Sequence, residues 1–349
     1  MKKRVTIKDI ASKLNISPTA VSRALNDHSD ISESLKKRVQ ETARDMGYTR
    51  NVIAKRLVTN NSNTIGCFML GRQDIQEETF GFHLIGGIID EANRNNYDIL
   101  LFTTSSSTEQ GKDYIEMCLE RRVEGAIFMG LRLDDPYLDN ISQAPFPTVI
   151  FDTELPGTNV YCVTSDNRTG IRRAMEYLWN LGHERIAFIA GHAQAQVTKI
   201  RFDAYREFME SKHAFLEGLI FSGDYTRQSG YRAAQEILVS KLKPSAVLVS
   251  SDLMALGAIQ AFKDAGLHVP SEMSIIGIDN ILACEYIEPQ LTTIAQNPFK
   301  MGEQAVKTII SCLEHRKQPR RLALEMELIV RGSCGPNPYS HTQRTLALP

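Results

Sequence analysis

The feature that most constrains this chain is a pair of short helical patterns, separated by a brief break, near its N-terminus. The first pattern, residues 6–14, repeats apolar residues every three or four positions and so predicts a helix with one buried face. Thr6 stands at the N-cap position with Asp9 three residues later, the spacing of a capping box. The second pattern begins at Ser17, which can cap a helix whose first residue is Pro18. Two short helices joined so tightly predict a helix-turn-helix unit.

The predicted second helix has two chemically different faces. Its apolar face carries Val21, Ala24 and Leu25. Its opposite face carries hydrogen-bonding side chains at helical spacing: Thr19, Ser22, Arg23 and Asn26. A helix that lies in the major groove needs such a face, because base edges are read by hydrogen bonds. We therefore predict a DNA-binding surface made of Thr6, Ser17, Pro18, Thr19, Ser22, Arg23 and Asn26.

A third helical pattern and the charge distribution extend this prediction. The third pattern starts at Ser32 and ends before Gly47, which suits a left-handed helix end. Residues 1–60 contain thirteen Lys and Arg against six Asp and Glu, a net +7, whereas the whole chain carries −1, which leaves about −8 for the remainder. A basic segment on an acidic body indicates a polyanion as the partner of that segment. Charge alone fits a solvated three-helix module equally well; the polar face of the second helix favours DNA.

The N-terminal segment resembles the head of the lactose-repressor family (LacI/GalR) of bacterial transcription regulators. The resemblance rests there on Thr6-Ile-Lys-Asp-Ile-Ala11 and Val21-Ser-Arg-Ala-Leu-Asn26, and it continues to about residue 332. Motifs of the body in the family's order are Leu181-Gly-His183, Ser251–Ala258, Ser274–Asp279 and Pro289–Ile294. The resemblance implies a DNA-binding head followed by a core of two lobes that binds an effector.

A hinge is predicted between head and core. Residues 51–58 suit two turns of helix, and residues 59–63 have the composition of a linker. Because so short a helix is marginal in water, it is expected to order only when something packs on it. The resemblance implies a hinge helix that pairs with its twin and wedges Leu57 into the minor groove, with Ala54 on the same face and Asn51 among the DNA contacts. A basic tether is the alternative.

Strand-like and helical patterns alternate from residue 64 onward, which predicts parallel sheets with helices on both faces. The length of this region favours two α/β lobes, and the resemblance implies the periplasmic-binding-protein fold with chain crossings near residues 163, 293 and 324. The fold class is therefore an all-α helix-turn-helix head plus a two-lobed α/β core. The predicted boundaries are head 1–50, hinge 51–63, core 64–335 and tail 336–349, with the N-lobe at about 64–163 and 294–323 and the C-lobe at about 164–293 and 324–335.

Polar residues that follow predicted strands indicate a ligand site, because parallel sheets bind ligands at the carboxyl ends of their strands. The resemblance implies that the effector contacts Asp152, Arg201, Ser251, Asp279 and Gln296, and that rings pack on it from Phe80, Phe82 and Tyr225. Carboxylates and a guanidinium suit paired hydroxyls, and aromatic faces cover the apolar side of a sugar. We expect a sugar, a sugar derivative or a nucleoside. Each residue also has a structural alternative, and Asp252 is interpreted as a helix cap.

The sequence favours a ligand-controlled repressor of a carbohydrate-utilisation operon over two other classes. An enzyme is disfavoured, because phosphate-binding glycine loops, nucleophile elbows and zinc motifs do not occur, and no cofactor or metal is expected. A transport protein that captures sugar is disfavoured by the basic head. With no apolar stretch suited to a signal or a membrane span, and six scattered cysteines, a bacterial cytoplasmic protein at the nucleoid is expected. We expect a homodimer on palindromic operator DNA, because one short recognition helix reads few base pairs.

Overall fold

The structure, a computed structural model, describes residues 5–48, 62–70, 79–104 and 113–338. The chain divides into two compact units, Met1–Ser62 and Asn63–Pro349. The predicted hinge residues Asn51, Ala54 and Leu57 lie outside the described residues, as does the tail from residue 339. What the sequence predicts for these positions stays a prediction.

The first unit is a helix-turn-helix, as predicted. Its helices within residues 5–48 are α1 (Ile7–Leu14), α2 (Pro18–Leu25) and α3 (Glu33–Asp45). The main-chain N–H of Thr6 donates to Asp9 Oδ2 over 2.8 Å, and Ser17 Oγ accepts from the main-chain N–H of Ala20 over 3.1 Å, so both helix caps are confirmed. Asn15 adopts a φ of 55°, a left-handed conformation that turns the chain between α1 and α2.

A small apolar core holds these helices together. Its buried side chains are Ile10, Ala11, Val21, Ala24, Leu25, Val39 and Ala43. Ser32 Oγ accepts from the main-chain N–H of Leu35 at the start of α3, and Gly47, with φ +66°, confirms the predicted left-handed end. Because only one face of α2 enters this core, its opposite face remains at the surface of the unit.

The first lobe of the second unit is built on a parallel sheet, in the order β11-β5-β4-β3-β1-β2. Its strands are β1 (Thr64–Leu70), β2 (Asp98–Thr104), β3 (Gly125–Met129), β4 (Thr148–Phe151), β5 (Val160–Ser165) and β11 (Arg321–Leu324). Its helices are α4 (Thr79–Arg94), α5 (Tyr114–Glu120), α6 (Leu138–Ser142) and α11 (Pro298–Leu313). Alternate strand residues pack on α4 and α11 on one face of the sheet and on α5 and α6 on the other.

The second lobe has a sheet in the order β12-β10-β9-β8-β6-β7. Its strands are β6 (Ile186–Ile189), β7 (Ile220–Phe221), β8 (Ala246–Val249), β9 (Ser274–Asp279), β10 (Thr292–Ala295) and β12 (Glu327–Ile329). Its helices are α7 (Asn167–Asn180), α8 (Gln196–Ser211), α9 (Arg227–Val239) and α10 (Asp252–Asp264). β12 is antiparallel to β10, and the other pairs are parallel. Apart from this edge strand, the two lobes repeat one topology.

The chain passes between the lobes three times: between β5 and α7, between β10 and α11, and between β11 and β12. The predicted crossings near residues 163 and 293 are two residues early, because β5 continues to Ser165 in the first sheet and β10 continues to Ala295 in the second. The main-chain N–H of Asp166 donates to the oxygen of Leu324 over 2.7 Å. The first and third crossings therefore lie side by side.

Candidate functional site

A cavity of about 280 Å³ lies between the two lobes of the second unit. Seven of the eight predicted effector contacts line it: Phe80, Asp152, Arg201, Tyr225, Ser251, Asp279 and Gln296. Most of them end or follow strands of the two sheets. The strand order reverses between β1 and β3 in one sheet and between β6 and β8 in the other, and open α/β sheets bind ligands at such points. The fold thus gathers residues that are far apart in the sequence.

Arg201 is a buried positive charge of this cavity. The residue is 3% exposed and belongs to α8. Its Nε donates to Asn167 Oδ1 over 2.7 Å, and its Nη1 donates to the main-chain oxygen of Ser250 over 2.6 Å. These two bonds fix the plane of the guanidinium, since rotation would break both of them. The group is therefore prepared to bind a polar ligand in one orientation.

Two half-buried carboxyl groups lie near Arg201. Asp152 Oδ1 accepts from Thr164 Oγ1 over 2.6 Å, and burial raises the pKa of Asp152 against the effect of that bond. Burial, followed by the negative charge of Asp252, raises the pKa of Asp279 to about 7, while Arg201 acts in the opposite direction. Asp279 can therefore accept or donate a hydrogen bond near neutral pH, depending on its protonation state.

Gln296 connects groups of both lobes. Its Nε2 donates to Asp279 Oδ1 over 2.6 Å, at the end of β9 in the second lobe. Its Oε1 accepts from Ser165 Oγ over 2.6 Å, at the end of β5 in the first lobe. A continuous chain of hydrogen bonds thus runs from one sheet to the other through a residue of the second crossing.

Ser251, rather than Asp252, caps α10. Ser251 Oγ accepts from the main-chain N–H of Met254 over 3.3 Å. The interpretation of Asp252 as the cap is wrong, because its carboxylate turns toward β10 and accepts from Thr293 Oγ1 over 2.6 Å and from the main-chain N–H of Ile281 over 3.0 Å. Asp252 thereby connects β10 with the segment that follows β9, while Ser251 lines the cavity.

Tyr225 forms a tightly packed part of the cavity wall. Its hydroxyl is 2.7 Å from Thr198 Oγ1, and burial raises its pKa, so that it stays a neutral phenol. The ring lies against the main chain at Gly191, where an added Cβ would be 2.1 Å from Tyr225 Cζ. Gly191 is therefore required for the position of this ring.

The two phenylalanines predicted as stacking groups have different positions. Phe80 is half-buried and lines the cavity. Phe82 is 53% exposed and is not among the cavity residues, so its predicted contact is not supported. Both belong to α4, and two residues along a helix turn the side chain by about 200°, so the pair cannot share a face.

Several polar groups of the cavity are not among the predicted contacts, for example Arg132, His192 and Asp224. They follow β3, β6 and β7, so their position after a strand is the sequence signal that identifies them. Burial and then the charge of Arg132 lower the pKa of His192, which is therefore neutral at pH 7. His192 Nδ1 accepts from the main-chain N–H of Gln194 over 3.1 Å.

Two further kinds of feature would bear on function in the described ranges: clusters of metal-ligating side chains and helices able to span a bilayer. No group of three or more His, Cys, Asp or Glu side chains there is placed to hold a metal ion. None of the helices in these ranges combines the length and the apolar character that a bilayer span requires. The cavity lining combines hydrogen-bonding side chains with apolar ones, as sites for small molecules do.

The outward face of α2 is the second candidate site. Ser17, Pro18, Thr19, Arg23 and Asn26 are exposed and Ser22 is half-exposed, as predicted for a surface helix. Arg23 Nη2 lies 2.6 Å from Asp30 Oδ2, and Asn26 Nδ2 donates to the main-chain oxygen of Ser22 over 2.9 Å. Thr6, also exposed, donates from Oγ1 to Asp9 Oδ2 over 2.7 Å.

Comparison with known proteins covers both units. The family described as bacterial regulatory proteins, lacI family, matches residues 6–51, and a periplasmic binding protein-like domain matches residues 175–334. The chain is 32% identical to the HTH-type transcriptional repressor CytR of Escherichia coli (strain K12) over 332 residues, which are 94% of this chain and 96% of that protein. The relative therefore shares both the head and the core, in the same order.

Two solved structures show the same fold. The lac repressor dimer bound to operator and the anti-inducer ONPF is 23% identical, with a TM-score of 0.83 over 95% of this chain and 100% of that one. The complex of the transcriptional regulator CelR with cellobiose is 26% identical, with a TM-score of 0.73 over 95% of this chain and 100% of that one. The predicted fold class is confirmed.

Proposed function

The chain belongs to the lacI family of bacterial regulatory proteins, and we propose that it is a DNA-binding transcriptional repressor controlled by a small polar molecule in the cleft between its lobes. The observation that carries the proposal is the exposed polar face of α2 in a unit whose apolar core occupies only the other face. The relatives described above are regulators of transcription, and we assign this chain no catalytic role.

Base reading is assigned to the exposed face of α2. Arg23 is its one cationic side chain, and a guanidinium pairs with the O6 and N7 atoms of guanine in the major groove. Thr19 and Ser22 add shorter hydrogen-bonding groups. Pro18 has no side-chain donor or acceptor, so it contributes shape and contact area only.

The effector is proposed to be a polyhydroxylated molecule, such as a sugar, a sugar derivative or a nucleoside. Arg201, Asp152 and Asp279 provide donors and acceptors suited to neighbouring hydroxyls, and Phe80 and Tyr225 provide ring surface. The CelR complex, in which a relative of the same fold holds cellobiose, supports this class of ligand. A carbohydrate-utilisation operon is the regulated target that follows from such an effector.

A homodimer on a two-fold symmetric operator is proposed as the active form. One recognition helix covers too few base pairs for useful affinity, and two heads on symmetric half-sites solve this problem. The lac repressor, similar in fold, is a dimer on its operator. A hinge at residues 51–63 that inserts Leu57 into the minor groove remains part of the proposal, and so does a bacterial cytoplasmic location.

Control of the operator by the effector is a coupling between two binding equilibria. A ligand that favours one arrangement of the lobes changes the affinity of the heads for DNA, and the operator changes the affinity for the ligand by the same factor. The hydrogen bonds from Ser165 through Gln296 to Asp279 support this coupling, because they link the carboxyl group proposed to bind the ligand to the first lobe.

Selection of DNA from a random pool by the full-length protein tests the proposed function. We expect a two-fold symmetric consensus with a guanine in each half-site. Arg23→Ala is expected to weaken binding to the consensus duplex by roughly 1–3 kcal/mol per base contact and to flatten preference at that guanine, whereas Arg44→Ala, which removes an equal charge from α3, keeps the preference. Recovery of sequences with no common pattern would overturn the proposal.

A thermal-shift screen of sugars and nucleosides identifies the effector, because a ligand that binds only the folded state raises the melting temperature by mass action. The same screen with Arg201→Met supplies the control, since a ligand of the cleft should no longer stabilise that variant. Stabilisation that is equal in both proteins would place the ligand elsewhere.

A further inference from the structure

The loop between α2 and α3 places a carboxylate beside the base-reading side chain of α2. Asp30 Oδ2 lies 2.6 Å from Arg23 Nη2. About half of each side chain is exposed, 47% for Arg23 and 50% for Asp30. The ion pair therefore belongs to the surface that meets DNA under the proposed function.

This loop is braced from within the unit. Asp27, with φ 57°, pairs through Oδ1 with Lys36 Nζ over 2.7 Å, and the Lys36 side chain is only 9% exposed. Ile31 packs against the apolar core on the other side of Asp30. Asp30 thus stands between two anchored residues, so the loop itself presents its carboxylate to Arg23.

We propose that Asp30 is a specificity-determining residue that competes with DNA for Arg23, an inference that rests on the proposed function. On a random duplex Arg23 has only a phosphate to bind, and non-specific affinity comes from such charge neutralisation. Asp30 cancels this charge, and its own carboxylate repels the phosphates. Asp30 therefore weakens the binding of random DNA.

The operator releases Arg23 from this competition. Guanine offers O6 and N7 in the geometry of the guanidinium fork and replaces the carboxylate with two directed hydrogen bonds. An exposed ion pair contributes little, so the exchange is favourable where the right base is present and unfavourable where it is absent. Asp30 thereby lowers affinity for wrong sequences more than for the operator.

The test compares full-length wild type and Asp30→Asn on two duplexes of equal length, one selected from the random pool and one of random sequence, by fluorescence anisotropy over a range of salt concentrations. We expect the affinity for the random duplex to rise about fivefold, with a steeper dependence on salt, and the affinity for the selected duplex to rise less. The ratio of the two affinities is expected to fall at least about threefold.

Three variants separate this role from general charge or folding effects. Asp45→Asn removes an equal charge from the end of α3 and is expected to keep the ratio. Asp30→Glu retains a carboxylate and is expected to keep most of the wild-type ratio of the two affinities. In an Arg23→Ala background, Asp30→Asn is expected to leave the ratio unchanged, because the residue acts through Arg23.

Each remaining outcome decides against the proposal. If Asp30→Asn raises both affinities equally, Asp30 contributes overall charge only. If Asp30→Asn lowers the affinity for the selected duplex alone, Asp30 supports the recognition of DNA instead of competing with DNA for Arg23. A wild type that does not distinguish the two duplexes overturns the proposed function itself, whereas a discriminating wild type with an unchanged ratio in Asp30→Asn overturns only the role of Asp30.

Discussion

The two lobes share one strand order but face the cleft with different chemistry. The second lobe contributes mainly hydrogen-bonding side chains, including Arg201, Tyr225, Ser251 and Asp279. Among its described residues, the first lobe contributes mainly apolar side chains: Met69, Leu70, Phe80, Leu84, Met129, Leu131 and Phe151. Its carboxyl group in the cavity is Asp152.

The difference shows that a repeated topology determines where a ligand binds but not what the ligand is. Side chains at strand ends point into the cleft, so the packing of the sheet does not restrict their chemistry. Arg201 of the second lobe is held by bonds within that lobe, to Asn167 and Ser250. We infer that the second lobe orients the ligand and that the first lobe covers it, since held groups lose little freedom on binding.

The largest expected effect is a loss of stability when Arg201, in the polar part of the cavity lining, is substituted. Arg201→Met leaves Asn167 Oδ1 and the oxygen of Ser250 without their donor and removes the positive charge near two carboxyl groups. We expect the free energy of unfolding, measured in urea at pH 7, to fall by about 3–5 kcal/mol. The control is Arg206→Met on the exposed side of the same helix, with a change within about 0.5 kcal/mol. Equal losses in the two variants would show that Arg201 is not a buried anchor.

The pH dependence of stability tests Asp279. Its pKa is about 7 in the folded state and near 3.9 in the unfolded chain, so between pH 4 and 7 the folded protein holds a proton that the unfolded chain releases. Stability therefore falls as pH rises through that window, and Asp279→Asn removes this contribution. The measured quantity is the free energy of unfolding of Asp279→Asn minus that of wild type. From pH 4 to pH 8 we expect this difference to shift by about 2–4 kcal/mol in favour of the variant.

Urea unfolding of both proteins at several pH values measures this difference. Asp139→Asn, an exposed carboxyl group of α6, is the control and should follow the wild-type curve. A difference between wild type and Asp279→Asn that stays constant from pH 4 to pH 8 would contradict a raised pKa.

A smaller effect is expected where the ring of Tyr225 meets the main chain. Gly191→Ala places a methyl group against the ring and should lower the free energy of unfolding by about 1–3 kcal/mol. When Gly191→Ala is combined with Tyr225→Ala, the loss in free energy of unfolding should be smaller than the sum of the two single losses by about 1 kcal/mol. The reason is that the double variant lacks the ring with which the added methyl group would clash. Gly86→Ala on α4, where an added Cβ has only ordinary contacts, is the matched change in the first lobe. Strictly additive losses would mean that the second lobe adjusts freely.

The smallest effect concerns the apolar wall of the first lobe. Phe80→Ala should weaken the binding of the ligand found in the thermal-shift screen by about 1 kcal/mol, since the substitution removes ring surface from the cavity. Phe82→Ala, on the exposed side of the same helix, should leave the affinity unchanged. Isothermal titration calorimetry measures both, and equal losses would remove the distinction between the two rings.

The sequence predicts most of the head and the position of the cleft, because both follow from local patterns. Helical spacing and cap residues define α1, α2 and α3, and the strand-end rule locates Asp152 and Asp279 before their mutual position is known. The bond partners of Asp279 are not predictable in this way. Gln296 reaches Asp279 because β10 pairs with β9 so that Ala295 lies opposite Asp279, and Ser165 in turn reaches Gln296 from the end of β5.

The errors have equally specific causes. The prediction for Phe82 fails because residues two positions apart on α4 face opposite sides of the helix. The prediction for Asp252 fails because sequence alone does not show which of two adjacent polar residues caps a helix, and its bond to Thr293 depends on the position of β10 in the sheet. Arg132 and His192 are identifiable as residues that follow strands, but which of such residues reach the cavity depends on the order of the strands.

Three lengths of chain join the lobes, and direct bonds hold them side by side: Asp166 to Leu324, and Ser165 to Gln296. A single connecting segment would allow the lobes to rotate about it. Three segments joined by hydrogen bonds resist such rotation but still allow bending. Because twisting would break these bonds, we expect the lobes to open and close rather than to rotate against each other. We then expect ligands of different shape to act on this one motion and to differ in how far they close the cleft.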